Sequence, residues 1–328
     1  MQSFPLDRRA FLGTCVGAAA ATLTGGVHAA AWPERNLTVI VPYAPGGQGD
    51  VFARLVSDRL GRALGQPVIV DNKPGASGAL GTRLMAKAPS DGYTLLLGQT
   101  GEIAINGTAM KNAGYDTLKD LRGVALVGDS PLILAVPANS PFKSVAELIQ
   151  AARAKPGAIA YASSGTATPG HLAAAALASG TKTEMTHVPY KGAGQAITDL
   201  IGGQVQFFFA SASSITAHLQ GGRVRALAVS KPARLASLPD VPPVADTLPG
   251  FDFSLWGGYF APRATPEAVV QRLSSEIQRI LAEPELRKRL EADGSAVAPG
   301  TPESFDRMVR DEIAKYARLV KSTAATLE

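Results

Sequence analysis

The sequence predicts an α/β protein built of two doubly wound domains with a ligand cleft between them, and three observations carry that reading. The run Leu37-Thr-Val-Ile-Val41 is apolar throughout, as in a parallel strand covered on both faces, and a glycine-rich loop and an amphipathic helix follow it. Strand and helix patterns then alternate as far as residue 97, which implies parallel pairing through right-handed crossovers. The same design recurs at residues 159–169, where an apolar strand, a Ser/Thr/Gly loop and a proline-started helix succeed one another.

The first strand runs into the loop Pro42–Asp50 and a helix predicted from about Val51, supported by Val51/Leu55 and Phe52/Val56 on one face. Gly46, Gly47 and Gly49 let the backbone approach a small guest, and Asp50 is placed to cap the helix. The free N–H groups at such a helix start favour an anion. Residues 67–71 read as a second strand, 79–88 as a helix and 93–97 as a third strand ending in the small polar loop Gly98-Gln-Thr-Gly101. The apolar stretch Val124–Val136 is interrupted at Gly128-Asp-Ser-Pro131, and a break there sends the chain from the first domain into the second.

Ser144-Val-Ala-Glu147 is a capping box opening a helix that stops before Pro156-Gly157. Ile159–Ala162 is a strand, Ser163–Thr168 a loop, and Thr168 caps a helix with Pro169 at its first position. Strands follow at 186–190, 205–210 and 224–229, with a helix from the Lys191-Gly-Ala-Gly194 turn to Ile201. Ser254–Phe260 returns the chain to the first domain. Two amphipathic helices finish it, from Thr265-Pro-Glu267 and from Thr301-Pro-Glu303. The first domain is thus 32–131 plus 256–328, and the second 132–255.

Residues 1–31 stand apart. Arg8-Arg9, an alanine-rich apolar run to about Leu23 and the small residues Ala29-Ala-Ala31 read as a twin-arginine signal peptide cleaved near 29–31. The run falls short of the ~20 residues a membrane span needs. Cleavage removes the lone cysteine, Cys15, so the mature chain has no disulfide or thiol chemistry. It also lowers the net charge from +5 to +4 by taking Asp7, Arg8 and Arg9. The basic residues are scattered, and the cluster Arg287-Lys-Arg289 lies among glutamates, so no nucleic-acid stripe is present.

Catalytic and cofactor signatures are missing. The loop Gly46-Gly-Gln-Gly49 lacks the third small residue of a dinucleotide fingerprint, and neither a phosphate-binding P-loop nor a G-x-S-x-G elbow occurs. His171, His187 and His218 lack metal-ligand spacing, and the first two read as hydrogen-bonded structural histidines rather than acid–base groups. Lys191 reads equally as a ligand contact or an exposed loop residue. Trp256 reads as core or hinge packing, with a place in the cleft as the alternative.

Three stretches together resemble the periplasmic solute-binding receptors of tripartite tricarboxylate transporters, the Bug family. They are Ile40-Val-Pro-Tyr-Ala-Pro-Gly-Gly-x-x-Asp50-x-x-Ala-Arg54, Val70-x-Asn-x-Pro-Gly-Ala-x-Gly78-x-x-Gly81, and His187-Val-Pro-Tyr-Lys-Gly192 continuing to Asp199-Leu-Ile-Gly-Gly-Gln204. The resemblance implies a periplasmic-binding-protein type II-like fold and no enzymatic activity, cofactor or metal. It implies a monomer in the periplasm that encloses a small carboxylate and hands it to membrane permease subunits. The candidate ligand-binding residues are then Tyr43, Ala44, Gly46, Gly47, Gln48 and Asp50 of the first loop and Ser163, Ser164, Gly165, Thr166 and Thr168 of the opposing loop. Thr100, Tyr190, Lys191, Ala210 and Ser211 join them. Tyr43, where many members have Phe, Gln48, at a variable loop position, and the twin-arginine leader depart from the family pattern. Two alternatives differ in class. A receptor signalling to a sensor kinase would share every feature, whereas a porphyrin-pathway deaminase on the same fold would need a cofactor-bearing cysteine that the mature chain lacks.

Overall fold

A computed structural model describes residues 32–292, 294–297 and 300–323; the signal peptide expected at 1–31 lies outside the described residues. Among the described residues nine strands form one continuous sheet: β1 (Leu37–Val41), β2 (Val68–Asn72), β3 (Thr94–Gln99), β4 (Leu121–Pro137), β5 (Ala160–Ser163), β6 (Thr186–Pro189), β7 (Phe207–Ser211), β8 (Val224–Val229) and β9 (Ser254–Pro262). Their order is β2-β1-β3-β9-β4-β7-β5-β6, with β8 also paired to β4. β1 lies parallel between β2 and β3, and β5 lies parallel between β6 and β7, as the alternating pattern requires.

The long strand β4 joins the two groups. It runs antiparallel to β9 as far as Pro131↔Ser254, and from Leu132↔Ser211 onward it pairs with β7, and with β8 on its other side. The break expected at Gly128–Pro131 is absent. That composition reads as a turn, but β9 on one side and a two-way backbone bridge from Asp129 to Ala296 hold the segment extended. Register shifts at Gly123/Ala125 and Leu126/Gly128 replace the turn, and Pro131, which has no N–H to donate, sits where the strand changes partners.

The principal helices are α1 (Gln48–Leu64), α2 (Ala79–Ala86), α3 (Val145–Ala154), α4 (Pro169–Gly180), α5 (Ala193–Ile201), α6 (Ala212–Gln220), α7 (Glu267–Leu281), α8 (Pro284–Ala292) and α9 (Pro302–Thr323). α1 starts three residues before the expected Val51 and buries Phe52, Leu55, Val56, Leu60 and Leu64 against the sheet. The capping box at α3 forms in altered shape: Ser144 Oγ accepts from Glu147 N, while the Glu147 carboxylate accepts from Lys143 N. Among the helical stretches that go beyond the sequence pattern, two touch residues of the cleft. One is a π-helical turn at Gly101–Ile105 followed by Asn106–Ala109, and the other is α6, whose Ser213, Ser214 and Thr216 weaken its helical signal.

One apolar core runs through both strand groups, from Ile40 and Leu96 to Phe207, Phe209, Phe253, Trp256 and Tyr316. The alternation of β7 sends Phe208 to the opposite face, into a second cluster with Ile133, Ala162 and Ile197. Trp256 is 1% exposed and its Nε1–H donates to Glu312, 2.9 Å away, so it packs in the core and does not line the cleft. Among the described residues no helix is long and apolar enough to cross a membrane.

Candidate functional site

Four helices begin at one place. Gly47, Thr168, Gly192 and Ser211 are the residues preceding α1, α4, α5 and α6, and all four line a single cleft of about 420 Å³. None of the four helix starts has a side-chain cap. The hydroxyls able to serve are turned elsewhere: Thr168 Oγ1 donates to Gly165 O at 2.8 Å, and Ser211 Oγ to Ser214 Oγ at 2.8 Å. Each start therefore presents first-turn N–H groups and roughly half a positive charge to whatever occupies the cleft.

The walls reinforce that preference. No aspartate or glutamate lines the cleft among the described residues, whereas Lys191 and His218 do. Burial and the nearby Arg223 lower the His218 pKa, so this imidazole is neutral at pH 7. Lys191 is exposed and makes no ion pair among the described residues. A neighbouring hollow of about 580 Å³ shares Tyr43, Ala44, Ser164 and Lys191 with the cleft and is closed on its far side by the turn Pro74–Gly78.

The first loop is held from behind by Asp50. Its carboxylate accepts from Gly46 N at 3.1 Å, Asn72 Nδ2 at 3.1 Å and Arg54 Nε at 3.0 Å, and Asn72 Nδ2 also donates to Tyr43 O at 3.0 Å. Burial raises the Asp50 pKa, but the bonds from Arg54, Gly46 and Asn72 outweigh it and hold the carboxyl below its usual range. Asp50 thus neither caps α1 nor faces the cleft. Gln48 is also redirected: its amide donates to Ser130 Oγ at 2.7 Å and to Leu255 O at 3.1 Å, and accepts from Gln99 Nε2 at 3.3 Å. These bonds fasten the loop to β4 and β9 and leave only the backbone of Gln48 for a guest.

The Tyr43 ring lines both hollows, but its hydroxyl is occupied, 2.9 Å from Glu102 Oε2 and 3.2 Å from Ser77 O. Glu102 is fully buried in the π-helical turn, and burial pushes its carboxyl up to about 7 against the opposing bonds from Gln99 N and the Tyr43 hydroxyl. Thr100 is buried, accepts from Trp256 N at 2.9 Å and lies outside the cleft.

The second loop is shaped by two histidines. Ala167 N donates to His171 Nδ1 at 3.0 Å, which holds Ala167 at a left-handed φ of 58°. His187 Nε2 donates to Ser163 Oγ at 2.7 Å, and that hydroxyl donates in turn to Gly165 O at 2.9 Å. Ser163 is therefore a fully buried brace rather than a contact, and Ala210 is likewise buried in β7. Ser164 and Thr168 reach the cleft, Ser164, Gly165 and Thr166 line the adjacent hollow, and Ser164 has no hydrogen-bond partner among the described residues. Tyr190 lines the hollow with its hydroxyl bonded to Asp199 at 2.8 Å.

Of the residues expected at the site, Tyr43, Ala44, Gly46, Gly47, Gln48, Ser164, Thr168, Lys191 and Ser211 line the cleft, Gly165, Thr166 and Tyr190 the hollow, and Asp50, Thr100, Ser163 and Ala210 neither. The cleft also includes two walls that the sequence does not announce, the start of α5 with Gly192 to Gln195 and the α6 face carrying Ser214 and His218. The Gly192-Ala-Gly194 spacing repeats the glycine pattern of the first loop and is the one available signal.

Comparison with known proteins identifies the family. Residues 52–324 match the family described as "Tripartite tricarboxylate transporter family receptor". Protein BugT of Bordetella pertussis is 34% identical, the alignment covering 94% of this chain and 96% of BugT. Among solved structures, Rpa4515 of R. palustris with adipate is 33% identical with a TM-score of 0.87, covering 90% of this chain and 100% of that one. The periplasmic binding protein BugD is 31% identical with a TM-score of 0.85, over 90% and 100%. These are substrate-binding proteins of the periplasmic-binding-protein type II-like fold, not enzymes. The chain belongs to the Bug family of tripartite tricarboxylate transporter receptors.

Proposed function

We propose that the protein captures a small organic carboxylate in the periplasm and delivers it to the membrane permease of a tripartite tricarboxylate transporter. The observation that carries this reading is the convergence of four uncapped helix starts on one cleft without acidic side chains. Such a site offsets the desolvation of an anion with fixed N–H groups rather than with a buried cation. The carboxylate sits between the two glycine- and serine-bearing loops, against Ala44, Gly46, Gly47, Ser164, Thr168 and Ser211, with Thr166 and Lys191 at its outer edge.

Residues 32–131 with 256–328 form one lobe and 132–255 the other, and β4 and β9 are the crossings about which they close. A ligand touching both lobes favours the closed form by its differential affinity. The chain acts as a monomer without a cofactor, exported by its twin-arginine leader. The adipate in the Rpa4515 structure supports the ligand class.

Calorimetric titration of the mature protein with adipate, malate, citrate and benzoate tests the reading. At least one should bind with one-to-one stoichiometry, and Gly47→Val should abolish it. Saturable binding of a neutral or cationic solute, with none of the four acids bound, would overturn it.

A further inference from the structure

The turn between β2 and α2 carries four consecutive residues with positive φ: Gly75 (145°), Ala76 (47°), Ser77 (48°) and Gly78 (86°). Glycine accepts such angles freely, but Ala76 and Ser77 have a Cβ and are strained by them. Something outside the turn must therefore hold it. On the inner side, Asn106 Nδ2 donates to Ser77 O at 2.9 Å, the Tyr43 hydroxyl lies 3.2 Å from the same oxygen, and Thr82 Oγ1 donates to Gly78 O at 2.9 Å. On the outer side there is, among the described residues, one bond, from Ser77 Oγ to the carbonyl of Thr166 at 2.8 Å.

That bond spans the hollow beside the ligand cleft and ties the first lobe to the second loop. The approach is close, since a Cβ on Gly165 would lie 3.2 Å from Ser77 Oγ. We propose that Ser77 is the closure latch of this receptor, a positioning residue that sets how fast ligand leaves rather than how fast it enters. The inference rests on the two-lobe carboxylate receptor reading above. The bond exists only when the loops meet, so an open receptor captures its ligand without it. Opening must break the bond and expose a hydroxyl and a carbonyl, so the bond adds to the release barrier alone.

The test uses the mature protein with Ser77→Ala and Ser77→Gly. Release and capture rates are read by stopped-flow with whichever of adipate, malate, citrate and benzoate binds the parent. Lobe separation is read without ligand from spin labels at Lys87→Cys and Glu184→Cys. Both Ser77 variants should release ligand on the order of fivefold faster, the loss expected for one hydrogen bond, with capture no slower than in the parent. Both should also shift the label distances outward. Ser77→Gly separates the latch from turn strain: it relieves the left-handed angle, so a residue that only shapes the turn would give a glycine variant as slow to release as the parent. That result, or parental release from Ser77→Ala, overturns the latch. If no acid binds the parent, the carboxylate reading falls on its own, and the label distances still decide whether Ser77 holds the lobes together.

Discussion

His171 and His187 lie face to face, with ring centroids 3.8 Å apart and ring planes within 6° of parallel. Tyr161 stacks on both. Burial penalises charge on either ring, and a charged His187 would also repel a charged His171 at that spacing, so the His171 pKa falls to about 3 and that of His187 to about 4. Neutrality suits the part they play, because His171 Nδ1 must accept from Ala167 N, which a protonated nitrogen cannot do.

The pair makes the protein acid-labile in a defined window. In the unfolded chain both histidines titrate near 6.5, so between that pH and about 3–4 the unfolded state binds protons that the folded state refuses. Their contribution to stability is intact above pH 6.5 and declines as pH falls through the window. Urea unfolding across pH 4–7 should show this slope, and His187→Gln, which keeps a donor for Ser163, should reduce it by about one proton. An unchanged slope would mean that His187 is charged in the folded protein.

Glu102 acts with the opposite sign. Its folded pKa of about 7 stands above the unfolded value of 4.5, so the folded state retains a proton that the unfolded state loses. Its penalty is absent below pH 4.5, grows as pH rises to about 7 and then levels off at about 3 kcal/mol. Glu102→Gln preserves an acceptor for Gln99 N and carries no charge, so it should stabilise the protein at pH 8 and leave stability at pH 4.5 nearly unchanged. Melting curves at the two pH values decide it. Equal destabilisation at both would show that the carboxyl is needed for its shape and not limited by its charge.

The glycines of the first loop divide by what a side chain would meet. At Gly47 the nearest atom to an added Cβ is Ala44 O at 4.0 Å, and its φ of −80° and ψ of 170° suit a β-branched residue, so Gly47→Val should fold normally and fill the cleft. At Gly49 the Cβ would meet Gln99 Oε1 at 2.7 Å and Leu97 Cδ2 at 3.2 Å, which disrupts the Gln48–Gln99 contact. Gly49→Val should therefore lower stability by roughly 1–3 kcal/mol. Thermal unfolding separates the two, and a destabilised Gly47→Val with an intact Gly49→Val would reverse the assignment.

These contrasts show why the fold is more legible in the sequence than the site. The apolar run Leu37–Val41 has one good solution, a buried parallel strand, and it is β1. The glycine and serine loops can be found because their residue types are demanded by backbone geometry. Which way a polar side chain points is a tertiary matter: Gln48, Asp50, Thr100 and Ser163 sit in or beside those loops, yet each bonds to a partner remote in sequence or to backbone within the loop. The uninterrupted course of β4 through Gly128–Pro131 is hidden for the same reason, since the partners that hold it extended are β9 and Ala296.

On the carboxylate reading proposed above, two kinds of group can hold the ligand's charge, a fixed neutral donor and a mobile cation. Ser164 reaches both the cleft and the hollow with a hydroxyl that has no partner among the described residues, whereas Lys191 brings a full charge on an exposed, flexible stem. A hydrogen bond to a charged group from a fixed donor contributes about 1.5–3 kcal/mol, while an exposed ion pair gives about 0–1 kcal/mol and is screened by salt. Ser164→Ala should therefore weaken binding of the acid by roughly tenfold or more at every ionic strength. Lys191→Gln should weaken it by no more than about fivefold at low salt, and the difference should fade as salt is raised to about 0.5 M. Titration of both variants at low and high salt gives the answer. A Lys191→Gln variant that loses binding outright, beside a Ser164→Ala variant that binds like the parent, would establish a cationic clamp and displace the helix starts from the centre of the mechanism.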